Sequence, residues 1–361
     1  MAITHSSSTT SAELLIPTPE ILQPLMHLDT MSLTKTTFVF AQRTIPLECD
    51  VYSSAEYPLI APVFLYFHSG GLVSGFRECV PPWLVQVCFK NQWTLISASY
   101  RMLPQAKASG LLQDATDAYS FALRWGITNE LASNRKVIVG GSSAGFFIAS
   151  LTAHHLHPTP LALLSITGIT TFRHPFFSSS VLLTPEPITE AQMSHHLSAP
   201  VSIGVTSANN PQVFHAEKIL PDGAKDTAFV LPPLPISDDG NCDEFPRGCL
   251  YDYYLYRNEF LNLVGEVDPG YEWAEGEMGE SRAAAWPPTT IIQGDADEDV
   301  DLSVSTHMVH CLGESKVKLF LAEGQPHLYE ATRFIEDDVS GMDAVRQAVS
   351  NLEADVARAL A

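Results

Sequence analysis

The sequence has few positive charges. Its 361 residues include 20 lysines and arginines against 41 aspartates and glutamates, which gives a formal net charge of −21. No run of basic residues offsets this charge locally. Such a chain repels phosphate backbones and anionic lipid surfaces. We therefore expect neither a nucleic acid nor a membrane surface as its partner.

Long apolar runs and paired cysteines are also scarce. No segment approaches the roughly 20 apolar residues that a membrane-spanning helix needs, and the N-terminus, MAITHSSSTTSAELLIPTPEIL, lacks the pattern of a secretory signal. The six cysteines include no Cys-x-x-Cys pair, which favours buried free thiols. Cys242 and Cys249 are near enough to be bridged in an oxidising compartment. We predict a soluble, cytoplasmic protein, and the sequence leaves its oligomeric state open.

Apolar residues are plentiful, and they recur in short runs. They make up 45% of the chain, against 17% charged residues, which is typical of a folded globular protein. Near-continuous apolar runs separated by helix-like segments predict a parallel sheet covered on both faces. The runs are Val63–Phe67, Thr94–Tyr100, Lys136–Gly140, Leu161–Thr167, Thr289–Gly294 and Val317–Gly324. A hairpin or pair of edge strands precedes them, in TTFVFAQRTIPLECDVY.

The predicted architecture is an α/β fold whose mostly parallel central sheet is flanked by helices. Residues 38–167 and 287–361 form its core, with helices expected over Leu111–Ile127 and near the C-terminus. Residues 1–37 and the insertion 168–286 lack the strand-helix alternation, so we assign both to a cap. Within the insertion, CLYDYYLYRNEFLNLVGE is predicted to be helical. Its aromatic residues would either form the core of the cap or line a substrate cage.

A glycine-rich turn follows the third buried run, in KVIVGGSSAGF. A Walker phosphate loop requires a lysine where the sequence has Phe146, and the dinucleotide-binding glycine pattern also fails. Gly-x-Ser-x-Gly fits in one register, Gly141 to Gly145. In this pattern, small residues allow a sharp strand-to-helix turn that exposes the central serine. The turn therefore predicts Ser143 as a nucleophile.

A serine nucleophile needs a base, and the base needs a carboxylate to orient it. DADEDVD follows the run Thr289–Gly294, and GQPHLYE, with His327, follows the last run. Both segments lie at the carboxyl ends of strands and hence at the same sheet edge as Ser143. Strand register alone selects none of the acidic candidates. These are Asp295, Asp297, Glu298, Asp299 and Asp301.

An acyl-transfer site also needs donors for the developing oxyanion. The segment HSGGLVSG, from His68 to Gly75, follows the run Val63–Phe67 at the same edge. Its glycines allow backbone N–H groups to approach a substrate oxygen closely. The sequence therefore predicts an oxyanion-binding loop here.

Three motifs together resemble the hormone-sensitive-lipase-like α/β hydrolases: HSGG, GSSAG and YRMLPQ. The resemblance covers roughly residues 62–145 and 288–329, and it implies the α/β-hydrolase fold. It further implies a nucleophile, a general base and an orienting acid, and oxyanion donors in three backbone N–H groups. These residues are Ser143, His327 and Asp297 for the triad, and Gly70, Gly71 and Ala144 for the oxyanion hole.

This chain departs from the family pattern at three positions. Ser69 replaces the first glycine of the family's triplet, at a position that supplies no oxyanion donor. Ser142 stands where many relatives have Asp, and Gln105 where they have Glu. Each of the last two changes removes a charge near the site, so the pH dependence is expected to differ from that of relatives.

The sequence thus predicts a serine hydrolase that cleaves carboxylic esters of small, apolar molecules without a cofactor or metal. The histidines of HHLH, from His154, and HMVH, from His307, are expected to have packing or surface roles. Two alternatives stay open. The same triad could serve acyl transfer, lactonisation or cyclisation in small-molecule biosynthesis, or the chain could be a non-catalytic binding protein on a hydrolase scaffold.

Overall fold

A computed structural model gives the fold of most of the chain. It describes residues 32–128, 133–204, 214, 216–228, 245–276 and 279–361. Most of the N-terminal segment and Cys242 lie outside these residues, so the expected N-terminal part of the cap and the Cys242–Cys249 bridge stay predictions.

One sheet of eight strands organises the described chain. The strands are β1 (Thr34–Gln42), β2 (Pro46–Ser53), β3 (Val63–Phe67), β4 (Thr94–Ala98), β5 (Val137–Ser142), β6 (Ala162–Ile166), β7 (Thr289–Gly294) and β8 (Val317–Ala322). Their spatial order is β1-β2-β4-β3-β5-β6-β7-β8. The hairpin β1–β2 joins β4 antiparallel, and all later neighbours pair in parallel. The expected mostly parallel sheet, opened by a hairpin, is confirmed.

Burial explains why the apolar runs became central strands. Every residue of β3 to β7 is buried, because helices cover both faces of the sheet. Strand β8 lies at the edge of the sheet and is only partly buried. The carboxyl ends of these parallel strands share one edge, and the site is built there.

Helices pack against both faces of the sheet. The helices of the described residues are α1 (Pro82–Lys90), α2 (Lys107–Arg124), α3 (Ala144–His155), α4 (Glu190–Leu197), α5 (Leu250–Tyr256), α6 (Phe260–Val264), α7 (Gly279–Ala285), α8 (Leu302–Leu312) and α9 (Met342–Leu360). Helices α1 and α9 enclose one apolar cluster, whereas α2, α3 and α8 enclose the other. Helix α2 ends before the expected Ile127, because Gly126 turns the chain with φ +69°.

The insertion contributes α4 to α7, and its tyrosine-rich stretch is two helices and not one. Asn258 separates α5 from α6 with φ +59°, a conformation that asparagine tolerates better than most residues. Its side chain accepts a hydrogen bond from the backbone N–H of Ser180, which fixes the break. Among the described residues, no helix is both long and apolar enough to cross a membrane.

Candidate active site

Ser143 occupies the turn between β5 and α3. Its φ of +52° and ψ of −126° are strained for a residue with a side chain. The flanking glycines make this turn sterically feasible. A Cβ at Gly141 would lie 2.3 Å from the backbone carbon of Gly145, and one at Gly145 would lie 2.2 Å from the carbonyl oxygen of Phe67. Both glycines of the Gly-x-Ser-x-Gly pattern are therefore required by close backbone approach.

The structure brings Ser143, His327 and Asp297 into one hydrogen-bonded chain. Nε2 of His327 lies 2.9 Å from Oγ of Ser143, and Nδ1 lies 2.8 Å from Oδ2 of Asp297. Both contacts are within the range needed for proton transfer and for orienting the ring. With Nδ1 donating to the carboxylate, Nε2 is free to accept the serine proton.

Asp297 is set apart from the other four acidic candidates by its burial and its donors. Its Oδ2 also accepts from Nε2 of Gln293 at 2.8 Å, and its Oδ1 accepts from the backbone N–H of Val300 at 2.9 Å. By contrast, Asp301 caps helix α8, and Asp295 accepts from the N–H of Gly324. These partners could not be identified from strand register.

The surroundings of His327 raise its pKa above the usual 6.5. Burial lowers this pKa, but the hydrogen bond and the charge of Asp297 outweigh burial, and Asp299 adds to them. A carboxylate oxygen of Asp299 lies within 4.8 Å of a ring nitrogen of His327. An imidazolium at His327 would thus be stabilised by two carboxylates.

The loop after β3 lies beside Ser143. Gly70 and Gly71 have φ of +118° and +64°, and both line a cavity of about 230 Å³ together with Ser143 and His327. Ala144 is the first residue of α3, so its N–H has no partner within the helix. The three expected oxyanion donors therefore lie on the loop and the helix start that flank the serine.

His68 stabilises the conformation of this loop. The imidazole is buried, stacks on the ring of Tyr100 at 4.3 Å, and donates from Nδ1 to the carbonyl oxygen of Ser69 at 2.8 Å. Burial lowers the pKa of His68 to about 4, so it is neutral at pH 7. Since a Cβ at Gly75 would meet the Ser69 oxygen at 2.0 Å, the loop also closes tightly.

The two neutral substitutions in the family pattern have specific partners. Ser142 is buried and accepts a hydrogen bond from the hydroxyl of Tyr66 at 2.8 Å. Gln105 accepts from Nη2 of Arg247 at 2.7 Å and donates to the carbonyl oxygens of His196 and Leu197. A glutamate at position 105 could not donate to those carbonyls. Gln105 thus ties α4 and the turn before α5 to the core.

Helix α5 supplies one wall of the cavity, which sequence reasoning did not identify. Tyr251 and Asp252 both line it, with Asp299 beside them. Other tyrosines of the same stretch, Tyr253 and Tyr254, are buried in the main apolar cluster. The two alternatives for this aromatic stretch, core or cavity lining, therefore apply to different residues. Tyr253 and Tyr254 lie in the core, and Tyr251 reaches the cavity. The only sequence signal was the helical periodicity, which does not show which face meets Ser143.

Glu330 is a second residue that the sequence did not single out. It follows His327 by three positions and is fully buried. Neither carboxyl oxygen has a hydrogen-bond partner among the described residues. Burial raises the pKa of Glu330 to about 7, while the nearby His327 lowers it.

The other histidine motifs contact residues of the insertion. Nδ1 of His154 accepts from Nη2 of Arg282 at 3.0 Å, and its ring packs 4.7 Å from that of Trp286. Nε2 of His307 lies 3.2 Å from a carboxylate oxygen of Glu272. Among the described residues, the group with the spacing of metal ligands is Asp297, Asp299 and His327, which overlaps the hydrogen-bonded chain.

Comparison with known proteins confirms the resemblance seen in the motifs. Residues 64–217 match the model of a family described as having the alpha/beta hydrolase fold. An AB hydrolase superfamily protein of Schizosaccharomyces pombe is 29% identical over 99 residues, which is 27% of this chain and 29% of that protein. Lipase 2 of a Moraxella species is 30% identical over 92 residues, or 26% of this chain and 21% of the lipase. The chain thus matches less than a third of either relative.

Solved structures extend the likeness to most of the chain. An alpha/beta hydrolase superfamily protein from Enterococcus faecalis superposes with a TM-score of 0.59 at 16% identity, covering 90% of this chain and 98% of the other. Carboxyl esterase 2 from the fungus Tuber melanosporum gives a TM-score of 0.52 at 13% identity, covering 92% and 89%. At these identities the likeness concerns the fold, and the chain has the α/β-hydrolase fold.

Proposed function

We propose that this chain, which has the α/β-hydrolase fold, is a serine hydrolase that cleaves carboxylic esters of small molecules. The observation that carries this proposal is the chain of hydrogen bonds from Ser143 through His327 to Asp297, which opens on a cavity beside the glycine loop. Lipase 2 of Moraxella and the Tuber melanosporum esterase are the relatives whose names agree with it.

The proposed reaction forms and breaks one acyl-enzyme. Oγ of Ser143 attacks the ester carbonyl carbon while Nε2 of His327 takes the hydroxyl proton, and Asp297 stabilises the imidazolium. The carbonyl oxygen becomes an oxyanion that accepts from the N–H groups of Gly70, Gly71 and Ala144. His327 then protonates the leaving alkoxide. Water repeats the sequence on the acyl-enzyme, which releases the acid and regenerates Ser143.

Labelling with a fluorophosphonate probe tests the nucleophile, since the probe reacts with an activated serine. We expect the wild-type protein to be labelled at Ser143, and Ser143→Ala to lose both labelling and several orders of magnitude in turnover of short-chain nitrophenyl esters. Ser142→Ala is the matched control, because it removes the neighbouring hydroxyl and should retain labelling. Labelling of Ser143→Ala at the wild-type rate would contradict the proposal.

The products distinguish hydrolysis from the alternatives. Mass spectrometry of a reaction with a hydroxy-ester substrate should detect free acid as the acyl product. A lactone or a transesterified product would instead indicate that an alcohol replaces water as acceptor. A protein that binds esters but leaves Ser143 unlabelled would be a binding protein on a hydrolase scaffold.

A further inference from the structure

The charge of the cavity beside Ser143 is negative. Of the described residues that line it, Asp252 and Asp299 are acidic, His327 is the titratable base, and there is no lysine or arginine. No described residue forms a salt bridge with either aspartate. The chain as a whole carries a formal charge of −21, so the surrounding potential reinforces that of the cavity.

Specific contacts hold Asp299 at the cavity. The hydroxyl of Tyr251 donates to the backbone oxygen of Asp299 at 2.6 Å, which joins helix α5 to the acidic loop. On the other side, the backbone N–H of Asp299 donates to Asp297 at 3.1 Å. Asp252 follows Tyr251 in α5 and also lines the cavity. Burial, and then the charge of Asp299, raise the pKa of Asp252.

Arg247, which precedes the lining residue Gly248, directs its side chain to the core. The guanidinium of Arg247 donates to the carbonyl oxygens of Val73 and Leu103, each at 2.8 Å, and to Gln105. All three acceptors belong to the core, and Arg247 is absent from the residues that line the cavity. Among the described lining residues, only His327 in its cationic form would offset the charge of the two aspartates, so a cationic ligand would be favoured there.

The aromatic ring of Tyr251 is a second feature that favours a cation. The ring lies against the oxyanion loop, since a Cβ at Gly71 would be 2.7 Å from its Cδ2. An aromatic face beside carboxylates attracts ammonium groups by cation–π and charge interactions together. A neutral ester would gain only apolar contact with the ring, and an anionic ester would be repelled by the carboxylates.

We propose that this cavity selects small esters that carry a protonated amine or quaternary ammonium group, which Asp252, Asp299 and Tyr251 bind while the ester carbonyl meets Ser143. The proposal rests on the ester hydrolase function proposed above. It differs from the apolar substrate expected from the sequence, because two carboxylates are among the described residues that line the cavity beside Ser143. A volume of about 230 Å³ further favours short substrates.

Three acetate esters of matched shape test the selection. They are acetylcholine, its neutral carbon isostere 3,3-dimethylbutyl acetate, and the anionic 4-acetoxybutanoate. We expect kcat/KM to be roughly tenfold higher for acetylcholine than for the isostere, lowest for the anion, and the ratio to shrink at high salt. Equal or faster hydrolysis of the isostere would overturn the proposal.

Variants assign the selection to the cavity. In Asp252→Asn the ratio of kcat/KM for the cationic and neutral esters should fall several-fold, whereas Glu314→Gln should leave it unchanged. Glu314 is an exposed residue before β8, so this control removes the same charge far from the cavity. An unchanged ratio in Asp252→Asn would contradict the assignment. The ratio is the readout because Asp299 also acts on His327.

Binding to the Ser143→Ala protein separates this inference from the proposed function. Calorimetry should show choline binding roughly tenfold more tightly than 3,3-dimethylbutanol. If the wild-type protein hydrolyses no ester but choline binds preferentially, the hydrolase proposal fails and the cation site stands. If esters are hydrolysed and the two alcohols bind alike, the cation site fails and the hydrolase proposal stands.

Discussion

Nδ1 of His327 lies 2.8 Å from Oδ2 of Asp297, and Asp297 accepts further hydrogen bonds from Gln293 and Val300. These hydrogen bonds fix the position of the Asp297 carboxylate independently of its contact with His327. The ring can present only one nitrogen to Ser143, and its cationic form is favoured, so its pKa is raised.

The raised pKa of His327 predicts a pH dependence for activity. The base must be neutral to accept the proton of Ser143, so kcat/KM should fall as pH decreases through a midpoint above 6.5. Asp297→Asn removes the main cause of the shift, so the midpoint should move down and kcat should drop about 10⁴-fold. Asp295→Asn, on the same loop, should keep the wild-type midpoint. Measuring kcat/KM for ester hydrolysis across pH gives the midpoint for the wild type and for both variants.

Gly145→Ala should damage both folding and the nucleophile. The new Cβ would lie 2.2 Å from the carbonyl oxygen of Phe67 and 2.5 Å from that of His68, so β3 and α3 would have to separate. We expect a loss of about 3 kcal/mol in the free energy of unfolding, with slower labelling of Ser143 by the fluorophosphonate probe.

Gly110→Ala is the control for Gly145→Ala. It lies inside helix α2, and its nearest non-bonded atom to a new Cβ would be at 3.5 Å. Alanine should therefore stabilise the helix by roughly 0.5–1 kcal/mol. Urea unfolding compares the two variants, and equal effects would contradict the steric explanation.

The raised pKa of Glu330 predicts that the free energy of unfolding depends on pH. Its pKa is about 7 in the folded protein against 4.5 as the ordinary value, so folding favours its protonated form. Its contribution is fully present below pH 4.5 and is lost as pH rises through 7. The loss is on the order of 3 kcal/mol.

Glu330→Gln should remove this dependence, since glutamine does not ionise. The unfolding free energy of the variant, relative to wild type, should rise between pH 4.5 and 8. Glu323→Gln, which changes an exposed carboxylate nearby in the chain, should leave the wild-type slope. If the unfolding free energy of Glu330→Gln depended on pH as it does in the wild type, another group would be responsible for that dependence.

Arg247→Lys should loosen the insertion without unfolding the core. Lysine cannot reproduce the geometry with which the guanidinium reaches Val73, Leu103 and Gln105. Since Val73 belongs to the loop from His68 to Gly75, we expect kcat/KM to fall by tenfold or more with a small change in unfolding free energy. Arg257→Lys, where the exposed guanidinium stacks on Tyr253, is the control and should keep wild-type kinetics.

The sheet was predictable because burial leaves a strong pattern. Strands such as β3 and β7 are buried at every residue, so their sequences are uninterrupted apolar runs and the expected bounds match closely. Helix ends were less accurate, since α2 depends on Gly126 and α5 on Asn258, whose backbone conformations no periodicity reveals.

Within the site, the register of the Gly-x-Ser-x-Gly pattern selected Ser143, chain order and strand ends selected His327, and the structure brings the two together. Their catalytic roles, the cap boundaries and the cytoplasmic location stay predictions. Asp252 and Glu330 were not identified, and Tyr251 was not distinguished from the other aromatic residues of its stretch, because their positions depend on how helix α5 and the turn after β8 pack. That packing is set by long-range contacts, such as Tyr251 with Asp299, which local sequence does not encode.

The contact between Gly71 and the ring of Tyr251 has a consequence for protein engineering. One partner belongs to the loop that would receive the oxyanion, and the other to the wall that would receive the substrate. A chimera that exchanges the insertion alone would remove the surface on which the glycine loop rests. Grafts intended to alter substrate range in this scaffold should therefore transfer HSGG and helix α5 as a single module.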